Sequence, residues 1–161
     1  MPVDLNAILA GTALFAGFSG PELGRLLPLL SVTQRAYAAD ATILHAGDEN
    51  RLIGIVLQGR LKAERSTRAG ESFAETAIEA GGVFGDVLSG GHAKSPVSVR
   101  AAENSRLLFI DVRRLLGPPP KAEEALFRRL LQNFVALLSN KYFALDKRLD
   151  LLLVRGLRRR L

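Results

Sequence analysis

The chain has 161 residues, 48% of them hydrophobic, with 22 Lys and Arg against 16 Asp and Glu, a net charge of +6, and no cysteine. This length suits one ordinary domain, or one domain with a helical extension, and is sufficient to bury a core. Lack of cysteine excludes disulfides, zinc-thiolate centres and cysteine-ligated iron-sulfur clusters, and fits a reducing, cytoplasmic setting.

The chain opens with an apolar run, Leu5 to Phe18. It carries Asp4 where a secretory leader has basic residues, and it is too short and too interrupted by glycine to span a bilayer, so no membrane association is expected. Leu5, Leu9 and Leu14 suggest a short helix ended by glycines. Pro21, after Ser19 and Gly20, suits the first turn of a second helix, and Leu23, Leu26, Leu27 and Leu30 recur at helical spacing.

From Val32 the pattern changes to short extended runs divided by turns. Strands are predicted over Arg35 to Ala38, Ala41 to His45, Leu52 to Leu57, Arg60 to Arg65, Phe73 to Ile78, Val97 to Ala101 and Arg106 to Asp111. Nine of the 15 glycines lie between Gly47 and Gly91, where an antiparallel fold of many strands needs its corners. Ala46-Gly47-Asp48 and Gln58-Gly59-Arg60 are the clearest turns, and the second reads as a hairpin between two strands. The fold class predicted is α+β: an antiparallel double-sheet β-roll of jelly-roll type, flanked by short amino-terminal helices and a long carboxy-terminal dimerisation helix.

Within the roll, Gly81 to Ala101 has the densest chemistry. Gly81, Gly82 and Gly85 permit positive φ and close approach of a ligand, Asp86 is an acceptor for a hydroxyl, and Lys94 with Ser95 could offer a cation and a hydroxyl donor to an anion. The competing reading is a long surface turn between strands, since an isolated glycine-rich loop is a weak motif.

Gly117 and Pro118 to Pro120 end any helix begun at Val112 and make a natural hinge. The chain divides there, into a sensor-like domain over 1–120 and a helical part over 121–161. Lys121 to Val154 contains neither glycine nor proline and reads as one long helix, opened by Glu123 and Glu124. Leu131, Leu138, Leu145 and Leu152 recur every seven residues, with Val135, Tyr142 and Leu149 between them, as a dimerisation seam requires. The same stripe would also serve a helix packed on its own domain. Residues 1–120 balance 12 basic against 12 acidic side chains, whereas 121–161 have 10 against 4, so the basic excess is confined to this helical part. Arg155, Arg158, Arg159 and Arg160 either suit the negative pole of a helix or lie near an anionic polymer.

Taken together, short leading helices, a glycine-cornered roll, Gly82-Val83-Phe84-Gly85-Asp86, Ser95-Pro96-Val97-Ser98-Val99-Arg100-Ala101, a hinge and a leucine-rich helix resemble the catabolite-activator (Crp/Fnr) family of bacterial transcription regulators. The order of Ala46-Gly47-Asp48 and Leu57-Gln58-Gly59-Arg60-Leu61 fits the same family, over essentially the whole chain. The resemblance implies an effector-sensing and dimerisation module, not an enzyme, whose DNA contact would come from a carboxy-terminal helix-turn-helix domain absent here. It implies a homodimer through the long helix and a small-molecule effector contacting Val83, Phe84, Gly85, Asp86 and Val87 on one side of the loop and Lys94, Ser95, Pro96 and Val97 on the other. Among the polar residues of the long helix, Ser139 or Asn140 is expected to reach into the roll and couple effector to helix.

In family members that bind cyclic nucleotides, an acid takes the ribose hydroxyl, and Asp86 stands in that position. Arginine followed by serine or threonine grips the cyclic phosphate, but counting back from Val99-Arg100-Ala101 those positions are Ser95 and Pro96. Lys94 is one residue out of register and lacks a bidentate fork. An effector other than cyclic AMP is therefore expected, with cyclic nucleotides retained as a lesser possibility. A haem or cupin-type metal site would have to use His45 and His92, the two histidines of the chain, and no metal site is expected. The alternative function is a stand-alone cyclic-nucleotide-binding domain that regulates a protein partner without DNA.

Overall fold

The structure is a computed structural model that describes residues 4–66, 72–85, 94–95 and 97–158, apart from the side chains of 66, 72–74, 141–146 and 148–158. The predicted Leu-rich opening forms α1 (Leu5–Ala10) and α2 (Gly20–Leu26), the latter continued by a tight 3-10 turn over Leu27–Leu30. Asp4 caps α1 by accepting from the amides of Asn6 and Ala7. Ser19 and Glu22 close a reciprocal capping box around the first turn of α2, with Pro21 inside it.

Eight strands follow among the described residues: β1 (Thr33–Tyr37), β2 (Thr42–Leu44), β3 (Leu52–Gln58), β4 (Leu61–Ser66), β5 (Ser72–Ile78), β6 (Val83–Phe84), β7 (Ser98–Ala101) and β8 (Ser105–Asp111). They form two four-stranded antiparallel sheets, in the orders β1-β8-β3-β6 and β2-β7-β4-β5. All seven predicted strands are present, and the two-residue β6 is added within the glycine-rich stretch.

The turn at Gly59 is not a hairpin. β3 pairs with β8 and β6, whereas β4 pairs with β5 and β7, so the chain passes from one sheet to the other at this point. Gly59 has φ +93°, and a Cβ there would lie 2.7 Å from the Asn104 carbonyl oxygen and 2.8 Å from the Ser105 Cα. The Arg60 amide donates to Ser105 Oγ and the Ala102 amide to the Arg60 carbonyl, which locks this crossing against the β7–β8 crossing. Sequence alone could not separate a hairpin from a crossing, because both need a residue with positive φ between two extended runs.

β3 is nearly all buried because both of its faces are covered. Ile53, Ile55 and Leu57 join Leu108 and Ile110 of β8 in a core shared with α1, α2 and the long helix, through residues such as Leu9, Leu26, Phe127, Leu130 and Phe134. Val56 faces the roll interior with Leu107, Phe109 and Phe84, against Leu61, Val99 and Ala101 of the second sheet.

After β8, Asp111 caps α3 (Val112–Leu116), which ends at Gly117 before the prolines. A short 3-10 turn over Lys121–Glu123 leads into α4 (Glu124–Arg158), which begins three residues later than predicted and continues through Gly156. Arg129 fastens α4 to the leading segment: its guanidinium donates to Glu22 Oε2 at 2.8 Å and to the Gly17 carbonyl at 2.6 Å, and lies 4.5 Å from the Phe18 ring centre. Asn133 Nδ2 donates to the carbonyls of Leu14 and Ala16.

Candidate ligand cavity in the roll

Strand periodicity brings Arg35 and Tyr37 to one face of β1. β8 lies beside β1, and Phe109 meets both residues: the Arg35 guanidinium carbon is 5.7 Å from its ring centre, and the Tyr37 ring stands edge-on at 6.4 Å. Phe84 approaches Phe109 from the far side of β3, edge-on at 6.1 Å. Gly54, paired with both phenylalanines, makes this possible, since a Cβ at Gly54 would collide with the Phe84 ring.

These rings border a cavity of about 450 Å³. Ile43, Leu44 and Leu52 complete its apolar lining, and Asp48, Glu49 and Asn50 supply polar groups from the turn between β2 and β3. That turn is held from several directions. Asp48 Oδ2 accepts from the His45 amide, Asn50 Oδ1 accepts from the Leu52 amide, and residues 94 and 95 run alongside it. The Gly47 amide donates to the Ser95 carbonyl and the Ser95 amide to the Asp48 carbonyl, each at 2.8 Å.

The cavity and the glycine-rich stretch share a wall. Gly85 follows Phe84 at φ +116°, and a Cβ there would lie 2.6 Å from the Leu52 carbonyl oxygen and 3.1 Å from Asn50 Nδ2. Of the predicted effector contacts, Phe84 lines the cavity, Val83 is half-buried on β6 and Gly85 abuts the rim. Lys94 is exposed beside Glu49, and Val97 packs at the margin of the inter-sheet core. Ser95 is 3% exposed, and its hydroxyl donates to the Val97 carbonyl at 2.7 Å. Asp86, Val87, His92 and Pro96 lie outside the described residues, and His45 is exposed. Ser139 and Asn140 are exposed on α4.

In the predicted seam, Leu131 and Leu138 are partly buried against the helical core, whereas Val135 is 59% exposed. The side chains of Tyr142, Leu145, Leu149 and Leu152 lie outside the described residues. Sequence reasoning missed Arg35, Tyr37, Phe109 and the acidic rim as parts of a site. The alternation of Arg35 and Tyr37 on a strand was the available signal, but nothing local joins them to Phe109. Among the described residues no cluster of three or more His, Cys, Asp or Glu could hold a metal ion, and no helix is long and apolar enough to cross a membrane.

Glu22 and Asp111 have lowered pKa values. Glu22 is held below the usual carboxylate range chiefly by the hydrogen bond from Arg129, and Asp111 chiefly by that from Arg113, in both cases against an opposing cost of burial. Both belong to helix starts, and neither lines the cavity.

The cyclic nucleotide-binding domain family matches residues 34–117, just over half of the chain. Among solved structures, the catabolite activator protein of Thermus thermophilus is 25% identical, with a TM-score of 0.72 over 88% of this chain, which spans 63% of that protein. The amino-terminal domain of a transcriptional regulator from Streptomyces coelicolor A3(2) is 18% identical, with a TM-score of 0.69 over 86% of this chain and 94% of its own. The sensor domain of the regulator DNR from Pseudomonas aeruginosa is 19% identical, with a TM-score of 0.65 over 90% and 91%. No curated protein matches the sequence significantly. The family match, carried by the same double-sheet roll seen in these Crp/Fnr-type regulators, makes the chain a member of the cyclic nucleotide-binding domain family.

Proposed function

We propose that the chain is the effector-sensing and dimerisation module of a Crp/Fnr-type transcription regulator, with a regulatory and not a catalytic task. The observation that carries this reading is the cavity inside the roll, which shares Phe84 and the Gly85 rim with the glycine-rich effector loop. A small molecule seated there presses on the loop, and β3 and β8 carry the displacement to the helical core on which α4 rests. Two copies joined along α4 would convert that shift into a change of angle between protomers. Residues 1–120 serve as the sensor and 121–161 as the dimer helix, with Leu131, Val135, Leu138, Tyr142, Leu145, Leu149 and Leu152 as its seam.

Cyclic AMP is not the expected effector. The Ser95 hydroxyl is engaged by Val97, and Lys94 cannot supply the planar fork that an arginine offers a phosphate. Light scattering on the purified chain tests the module: the mass of a dimer is expected at tens of micromolar, and Leu138→Lys with Leu145→Lys should give a folded monomer. A wild-type monomer, or a variant that stays dimeric, would remove the seam. Calorimetric titration with cyclic AMP and cyclic GMP tests the effector, with no saturable binding below millimolar ligand expected.

A further inference from the structure

We propose that the cavity bordered by Arg35, Tyr37, Phe84 and Phe109 is a binding site for a planar aromatic monocarboxylate, separate from the phosphate-gripping positions of the glycine-rich loop. The inference rests on the reading of the roll as an effector-binding module and names the chemistry its cavity takes.

Three aromatic rings, three aliphatic side chains and the polar residues Arg35, Asp48, Glu49 and Asn50 line the space, which suits a flat ring that carries a polar group. About 450 Å³ accommodates a ring system of one or two fused rings with a short polar substituent. Arg35 is the cation of this lining. It lies over the Phe109 ring, and among the described residues no carboxylate comes within ion-pair distance of it, so its fork is available to a ligand carboxylate.

Charge and polarity narrow the class further. Asp48 and Glu49 on the rim repel ligands with several negative charges, such as nucleoside polyphosphates, while one charge is answered by Arg35. Binding would be felt by the effector loop, because Phe84 is part of the lining and Gly85 follows it directly.

The probe is 2-naphthoate, titrated calorimetrically into the full chain, with cyclohexanecarboxylate and neutral 2-naphthamide as controls. Saturable one-to-one binding in the micromolar range is expected for 2-naphthoate, with both controls weaker. Arg35→Gln, an exposed position whose replacement leaves the fold intact, should weaken binding roughly tenfold, as expected for loss of a charge-assisted hydrogen bond. Phe109→Leu should also weaken it, and Lys94→Ala should leave it unchanged. Non-saturable binding, or an Arg35→Gln variant that binds like the wild type, overturns the proposal. If cyclic AMP or cyclic GMP binds while 2-naphthoate neither binds nor displaces it, this site fails and the sensor reading stands. If 2-naphthoate binds in an Arg35-dependent way to a chain with monomer mass, the site stands and the dimer module fails.

Discussion

Gly59 and Gly85 show how single backbone positions decide the architecture around the cavity. Both hold positive φ, and in both a side chain would run into backbone of a neighbouring segment. Gly59→Ala should cost about 1 to 3 kcal/mol, from the unfavourable φ together with the collision at the β7–β8 crossing. A urea midpoint unchanged from wild type would refute the assigned crossing. Carboxylates at helix starts give a second residue-scale prediction. Glu22 and Asp111 have folded pKa values below their ordinary 4.5 and 3.8. Their contributions are therefore full above those ordinary values and are lost as pH falls through the lower, folded ones. The urea midpoint should be level between about pH 7 and pH 5 as far as these groups are concerned, then decline below about pH 4.5. Glu22→Gln with Asp111→Asn should be less stable at neutral pH and decline less steeply in acid. An equally steep decline in the double variant would show that other carboxylates govern acid sensitivity.

At the scale of elements, α4 packs on its own domain through one face. Leu126, Phe127, Leu130 and Phe134 bury the helix against the domain, with Leu131 and Leu138 at the edge of that contact. Val135 is turned to the other side. Leu130 is fully buried, so Leu130→Ala should destabilise the domain by about 2 to 5 kcal/mol through lost burial and the cavity left behind. Denaturation by urea measures this, and a loss below about 1 kcal/mol would mean that the helix is only loosely docked. The heptad pattern was legible in the sequence. Which leucines turn inward was not, because a 3.6-residue period allows several overlapping stripes until a neighbouring surface selects one. β3 shows the same limit: its continuous apolar run signals burial, but only the sheet order reveals helices on one side and the roll interior on the other.

For the molecule as a whole, sheet switching builds the interior. β1, β3, β6 and β8 belong to one sheet and β2, β4, β5 and β7 to the other, so among the described strands only β4 and β5 are sequential neighbours in the same sheet. Tyr37, Phe84 and Phe109 stand on β1, β6 and β8 of the first sheet, and the crossings bring Ile43 and Leu44 of β2, in the second sheet, to the same cavity. Arg129 and Asn133 tie the segment from Leu14 to Glu22 to α4. The leading segment, the first sheet and the long helix therefore surround one core, adjacent to the inter-sheet core that borders the cavity.

Local chemistry determined much of this protein directly. Ser19, Glu22 and Pro21 start a helix, alternating apolar residues make strands, and the prolines after Gly117 end α3, because each of these effects acts within a few residues. The glycine-rich stretch by itself left a surface turn and an effector loop both open, and only the family resemblance favoured the loop. Tertiary structure alone decided that Gly59 crosses between sheets, that Ser95 spends its hydroxyl on Val97, and that Arg35 meets Phe109 across 74 positions of sequence. Those outcomes depend on which strands pair and which faces are covered, and pairing energy comes from neighbours that no local window contains.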